Sequence, residues 1–172
     1  MIGKYLVKLK TRFALRKKSE RGSKAYQDAK RFGILYTYST EKNHKLVYEW
    51  IEELTQEGKS VQVITFIPKT KKKDNFDYPF FSERHLKSNG KWSLEIVEDF
   101  KEAPFDYLLS LDKGLDKYTM NILATSKAKC RVGLYAEGVS QYFEMMINHE
   151  KGDFRALLSE VHHYLKELRN EQ

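Results

Sequence analysis

Four residues at two positions are the best candidates for ligand chemistry in this sequence. Asp112 and Lys113 directly follow an apolar run, and Asp112 is the candidate for an acid or a base. Ser39 and Thr40 follow another apolar run and precede a predicted helix, whose N-terminus could hold a phosphate. That turn contains no glycine, and neither GxGxxG nor a Walker lysine motif occurs. Helix capping therefore explains Ser39 and Thr40 better, and the start of a loop explains Asp112. The four residues are a hypothetical ligand pocket, and no catalytic residue is predicted.

The five histidines do not form a predicted metal site. His162 and His163 are neighbours on a predicted helix, so their side chains diverge by about 100° and cannot easily share one metal. His44, His85 and His149 are isolated in the sequence. We therefore predict neither a metal nor a cofactor.

Cysteine content and hydropathy indicate a soluble protein of a reducing compartment. Cys130 is the only cysteine, so no internal disulfide can form. We predict that Cys130 is a buried, inert thiol. No apolar run approaches the roughly 18 residues that are needed to span a bilayer, and no secretory signal is recognisable. We predict a cytoplasmic protein without a transmembrane segment.

The positive charge is concentrated at the N-terminus. The whole chain carries a formal net charge of +7. Residues 1–31 contain seven lysines and four arginines against Glu20 and Asp28, an excess of nine positive charges. The rest of the chain contains 20 basic and 22 acidic residues, which leaves it nearly neutral. This asymmetry predicts binding of the N-terminal segment to a polyanion.

Apolar spacing predicts that the basic segment begins with an amphipathic helix. Ile2, Leu6, Leu9 and Phe13 follow helical spacing, and Tyr5 lies beside them. Tyr5, Phe13 and Tyr26 could stack on bases. A lysine-rich loop at residues 69–73 could extend the basic surface. The predicted nucleic-acid-binding residues are Lys4, Lys8, Lys10, Arg12, Arg16, Lys17, Lys18 and Arg21.

Three interpretations of this segment remain open from the sequence. The first is contact with RNA or the ribosome, in which lysines and arginines neutralise phosphates. In the second, the stripe formed by Ile2, Leu6, Leu9 and Phe13 docks on the protein's own sheet, and the lysines are merely solvated. In the third, the helix binds an anionic membrane surface or a protein partner.

The remaining pattern alternates strands and helices. Strands are predicted at residues 32–38, 61–67, 105–111, 131–136 and 141–148, and helices at 41–57, 94–101, 116–127 and 153–168, with a short helical stretch at 24–31. This order predicts the α/β class: a three-layer, Rossmann-like, mostly parallel sheet of about five strands, with a basic amphipathic N-terminal helix. We divide the chain into a basic helical arm, residues 1–31, and an α/β domain, residues 32–172.

Several segments resemble a family of small uncharacterised bacterial proteins. They are FDYLLSL (105–111), ILATSKAK (122–129), RVG (131–133), YFEMMI (142–147) and VHHYL (161–165). That family is a domain of unknown function, so the resemblance implies an architecture and no activity. The middle passage also resembles part of the N-terminal half of heptosyltransferase-type glycosyltransferases. Those enzymes bind their nucleotide-sugar with a second Rossmann-like domain, for which this chain is too short.

The sequence therefore predicts a non-enzymatic, RNA-binding or ribosome-associated accessory protein that contacts RNA through its N-terminal helix. The alternative is a protein, or a transferase-like enzyme, that binds a nucleotide or another phosphorylated ligand at the carboxyl ends of the strands.

Overall fold

A six-stranded parallel sheet forms the centre of the protein. The computed structural model describes residues 2–17, 19–69, 76 and 78–169. Within these residues the strands are β1 (Arg31–Thr37), β2 (Ser60–Phe66), β3 (Phe80–Phe81), β4 (Tyr107–Ser110), β5 (Cys130–Leu134) and β6 (Met145–Ile147). Their order in the sheet is β3-β2-β1-β4-β5-β6, and every neighbouring pair is parallel. This is the strand order of Rossmann folds, and the order reverses between β1 and β4. The predicted α/β class is confirmed, with one strand more than expected.

The helices cover both faces of this sheet. They are α1 (Ile2–Arg16), α2 (Glu41–Gln56), α3 (Glu95–Glu102), α4 (Lys117–Thr125) and α5 (Phe154–Glu167), with short 3₁₀ turns at Glu83–His85 and Ser140–Tyr142. Side chains of Thr40, Asp116 and Asp153 accept hydrogen bonds from the first turns of α2, α4 and α5. Such caps satisfy amides that would otherwise lack partners.

Alternation along the central strands produces two apolar cores. Phe32, Ile34 and Tyr36 of β1 point to one face, where they pack with residues of α2 and α5. Leu35 points to the other face, into a core with residues of α3 and α4. Because a parallel strand buried on both faces is apolar almost throughout, β1 was recognisable from sequence.

The segment before β1 is a turn and not the helix predicted at residues 24–31. A turn lies at Tyr26–Asp28, and Ala25, Tyr26 and Ala29 are buried. The buried Lys59 ammonium donates hydrogen bonds to the carbonyl oxygens of Tyr26, at 2.5 Å, and Ala29, at 2.9 Å. These carbonyls therefore bind a lysine that directly precedes β2, a long-range contact that local spacing cannot reveal.

The first helix docks on α4 through small residues. Its buried positions are Gly3, Val7 and Thr11. The Thr11 hydroxyl accepts a hydrogen bond from the Asn121 side-chain amide, at 3.1 Å, and donates to the Val7 carbonyl, at 2.8 Å. A Cβ atom on Gly3 would lie 2.5 Å from the carbonyl oxygen of Lys87, so the chain backbones approach closely there.

This docking corrects the predicted apolar face of α1. Ile2 and Phe13, two of the four residues proposed to dock, are exposed, whereas Val7, which is not part of the predicted apolar stripe, is fully buried. The contact has small side chains at its centre and half-buries Leu6 and Leu15 at its edges, whereas the other large side chains are turned outward. The second interpretation of the basic segment is thus correct that α1 packs on its own domain, but the contact is with α4 and not with the sheet, and Ile2 and Phe13 take no part in it.

Candidate nucleic-acid interface

The solvent-facing side of α1 carries an apolar and aromatic stripe. Ile2 is 70% exposed, Tyr5 65% and Phe13 66%, and Leu9 lies half-buried among them. With about 100° of rotation per residue, these four side chains lie within one sector opposite Gly3, Val7 and Thr11. We call Ile2, Tyr5, Leu9 and Phe13 the outer stripe. It leaves large apolar groups in solvent on a helix whose other side is already buried.

A row of four cations borders the outer stripe. Lys4, Lys8, Arg12 and Arg16 recur every four residues and are all exposed. Each step advances about 6 Å along the axis, so the row spans about 18 Å. The helix contains no acidic residue, and no ion pair of these four side chains occurs in the part of the chain that the structure describes. Their charge is therefore not neutralised internally.

On the opposite border of the stripe, Lys10 reaches a basic cavity. Its ammonium donates to the carbonyl oxygens of Asn89, at 3.2 Å, and Gly90, at 2.9 Å. The adjoining cavity of about 330 Å³ is also lined by Lys91, Lys101, Glu98 and Trp92, among others. Burial lowers the pKa of Lys10, and the nearby charges of Lys91 and Lys101 lower it further. The Glu98 carboxylate, which pairs with Lys101 at 2.7 Å, offsets part of this repulsion. We call this space the Lys10 cavity, and an anion entering it would relieve the remainder.

A second basic cavity lies beside the end of α1. It has a volume of about 490 Å³, and its lining includes Lys17, Lys127, Lys129 and Arg21, with Glu20 as the acidic member. Lys127 pairs with Glu102, whereas no ion pair of Lys17 or Lys129 is found among the described residues. We call this space the Lys17 cavity. The two cavities extend the positive surface beyond α1.

Most, but not all, of the predicted nucleic-acid-binding residues are accessible. Lys4, Lys8, Arg12, Arg16 and Lys17 are exposed, and Lys10 is exposed but engaged with the two carbonyls. Lys18 lies outside the described residues, as do residues 70–73 of the lysine-rich loop.

Arg21 and Tyr26 have internal roles. The Arg21 side chain is 13% exposed; its guanidinium donates to the carbonyls of Ala128, at 2.5 Å, and Ser126, at 3.2 Å, and pairs with Glu144. Tyr26 is buried and donates from its hydroxyl to Glu57. A phosphate cannot compete easily for Arg21, and a base cannot reach the Tyr26 ring. In their place, the fold adds the exposed Lys91 and Lys129 to the basic surface; they are distant in sequence and only tertiary structure brings them there.

The predicted ligand pocket lies at the point where the strand order reverses, between the ends of β1 and β4. The Asp112 carboxylate accepts hydrogen bonds from the Thr37 amide, at 2.9 Å, and the Thr37 hydroxyl, at 2.7 Å. Burial raises the pKa of Asp112, although these two hydrogen bonds oppose the rise. Thr40 caps α2, the Ser39 hydroxyl accepts from Asn43, and Lys113 is exposed. Asp112 therefore joins the ends of two neighbouring strands.

Neither a metal cluster nor a membrane-crossing helix is found in the residues that the structure describes. No three His, Cys, Asp or Glu side chains among them are grouped closely enough to hold a metal ion. Within the same residues, no helix combines the length and the apolar character that crossing a bilayer requires.

Comparison with known proteins places the chain in a family. The chain belongs to a family of unknown function, DUF6913, whose model matches residues 4–168. The matched segment includes α1 from Lys4 onward together with the strands and α2 to α5. The resemblance to an uncharacterised family is thereby confirmed. No curated protein and no solved structure matches, so the resemblance to heptosyltransferase-type enzymes stays a prediction.

Proposed function

We propose that this member of DUF6913 is an RNA-binding accessory protein that contacts RNA phosphates through α1. The observation that carries the proposal is the exposed row of Lys4, Lys8, Arg12 and Arg16 on a helix without acidic residues. Lysine and arginine side chains that neutralise phosphates release condensed counterions, and this release drives binding. A rigid helix docked on α4 presents the four cations in a fixed line, so little ordering is needed on binding.

The shape of the basic surface favours RNA over a membrane. Lys10, Lys17, Lys91 and Lys129 line the Lys10 and Lys17 cavities, which are concave. A flat bilayer surface cannot bring its headgroups into two recesses and onto the outer stripe at once. A flexible polynucleotide strand can follow α1 and place individual phosphates in the recesses.

The proposal is tested by removing the row of cations. Lys4, Lys8, Arg12 and Arg16 are replaced together by Gln, and the dissociation constant for a short single-stranded RNA is measured between 50 and 200 mM salt. Losing four phosphate contacts should reduce the salt dependence of log K by about 2.8. The affinity ratio of wild type to variant should consequently be about 50-fold larger at 50 mM than at 200 mM salt.

The control variant loses the same charge elsewhere. Lys42, Lys45, Lys113 and Lys151 are exposed, lie outside α1 and are replaced together by Gln. We expect this variant to keep most of the wild-type affinity and salt dependence. An equal loss in both variants, or no RNA binding by the wild-type chain at low salt, would contradict the proposal.

A further inference from the structure

The outer stripe contains two exposed aromatic rings whose exposure the docking of α1 does not explain. Tyr5 and Phe13 point away from α4, and neither ring packs against another aromatic side chain in the described part of the chain. Exposing two large apolar rings on one helix face is unfavourable in water, so the stripe indicates a contact surface. The row Lys4, Lys8, Arg12 and Arg16 on one border and Lys10 and Lys17 on the other give this surface a positive rim.

We infer that the RNA bound by α1 is single-stranded and that its unpaired bases stack on Tyr5 and Phe13. This inference rests on the proposed function, which supplies the polyanion. Aromatic rings beside a basic groove are how proteins bind single strands without reading sequence. In a duplex the faces of the bases are already stacked on each other, so the two rings would find no partner.

The spacing of the two rings suits a strand that runs along the helix. Tyr5 and Phe13 are eight residues apart, which corresponds to about 12 Å along the axis. Three to four nucleotides of a stacked strand, at about 3.4 Å each, cover this length. Leu9 lies between the rings and offers an apolar surface to the intervening bases. The phosphates of the same strand would face the cations on the two borders.

The experiment exchanges the rings for aliphatic side chains. In the double variant Tyr5→Leu, Phe13→Leu, the stripe stays apolar but loses its π faces. Affinity is measured by fluorescence anisotropy for a 12-nucleotide oligouridine and for a 12-base-pair RNA duplex. For the single strand we expect about a tenfold loss per ring, hence about a hundredfold for both, with an unchanged salt dependence. For the duplex we expect no change.

The matched control replaces an exposed aromatic ring remote from α1. Tyr135 follows β5 and is 61% exposed, and Tyr135→Leu should leave both affinities at the wild-type level. Equal wild-type affinity for single strand and duplex, or full single-strand affinity of the double variant, would overturn the stacking inference alone. No wild-type affinity for either RNA would overturn the proposed function with it.

A membrane surface is the competing occupant and has its own readout. Leucine supports insertion into a bilayer as well as phenylalanine does, whereas it cannot stack on a base. If wild type and double variant float equally with vesicles that contain anionic lipid, and oligouridine does not displace them, the stripe is a membrane contact. The stacking inference would then be wrong.

Discussion

Asp112 and Thr40, which were candidates for ligand chemistry, make structural hydrogen bonds in this fold. Asp112 holds the amide and hydroxyl of Thr37, and Thr40 caps α2. The crevice where Rossmann folds bind their ligands is therefore bridged by a carboxylate that already has two donors. A carboxylate that already accepts a hydrogen bond on each of its oxygens is a poor candidate for an acid or a base.

Glu57 is the residue for which acid sensitivity can be predicted. It accepts hydrogen bonds from Lys166 and Tyr26 and lies 3.3 Å from a ring nitrogen of His162. Burial alone would raise its pKa, but these three partners lower it from 4.5 to about 2. A carboxylate with a lowered pKa stabilises the folded state above pH 4.5, and the contribution disappears as the pH falls towards 2. Glu57→Gln should therefore lower the melting temperature at pH 7 and lower it much less at pH 2.5.

The measurement is thermal unfolding of both proteins from pH 7 down to pH 2.5. Glu52→Gln is the control, because Glu52 is exposed on α2, which ends just before Glu57, and no ion pair of Glu52 occurs among the described residues. We expect Glu52→Gln to melt near the wild-type temperature at pH 7, where Glu57→Gln melts lower. A destabilisation by Glu57→Gln that grew as the pH fell would contradict the lowered pKa of Glu57.

At the scale of elements, the docking of α1 depends on the glycine near its start. The Cβ of Gly3→Ala would lie 2.5 Å from the Lys87 carbonyl oxygen, a backbone atom that cannot turn aside. Overpacking of this kind costs about 1–3 kcal/mol, and the better helix propensity of alanine returns up to about 1 kcal/mol. We expect a net decrease in the free energy of unfolding, measured in urea. Gly114→Ala is the control, since nothing lies within 4 Å of its added Cβ. Equal stability of the two variants would refute the close contact.

Helices and strands could be predicted where the residues that determine them are close together in the sequence. The apolar runs of β1 and β2 and the cap Thr40 are visible in sequence, and the structure confirms them. The two residues of β3 are too short for a pattern and depend on pairing with β2. The face by which α1 docks was mispredicted because spacing identifies the largest side chains, whereas a close helix contact selects the smallest. The Lys10 and Lys17 cavities combine lysines from distant segments, and no local pattern reports them.

At the scale of the whole molecule, the basic segment is a structural part of the domain. Residues 1–31 contribute buried Val7, Ala25, Tyr26 and Ala29, as well as the internal hydrogen bonds of Arg21. A fully buried side chain of the size of valine or larger stabilises the fold by about 1.5–3 kcal/mol, a large share of ordinary domain stability. The family match, which starts at residue 4, covers the same segment.

Deleting residues 1–31 should therefore unfold the protein and not merely abolish RNA binding. The truncation removes the side chains that cover α4 and the carbonyls that hold the Lys59 ammonium, leaving a buried lysine without its partners. We expect circular dichroism to show a loss of cooperative thermal unfolding in the truncated chain. The variant with Gln at positions 4, 8, 12 and 16 changes only exposed side chains and should melt near the wild-type temperature. A truncated chain that unfolded with wild-type cooperativity would contradict this prediction and mean that residues 1–31 are not needed for folding. Deletion of these residues could then replace charge substitution as the test of RNA binding.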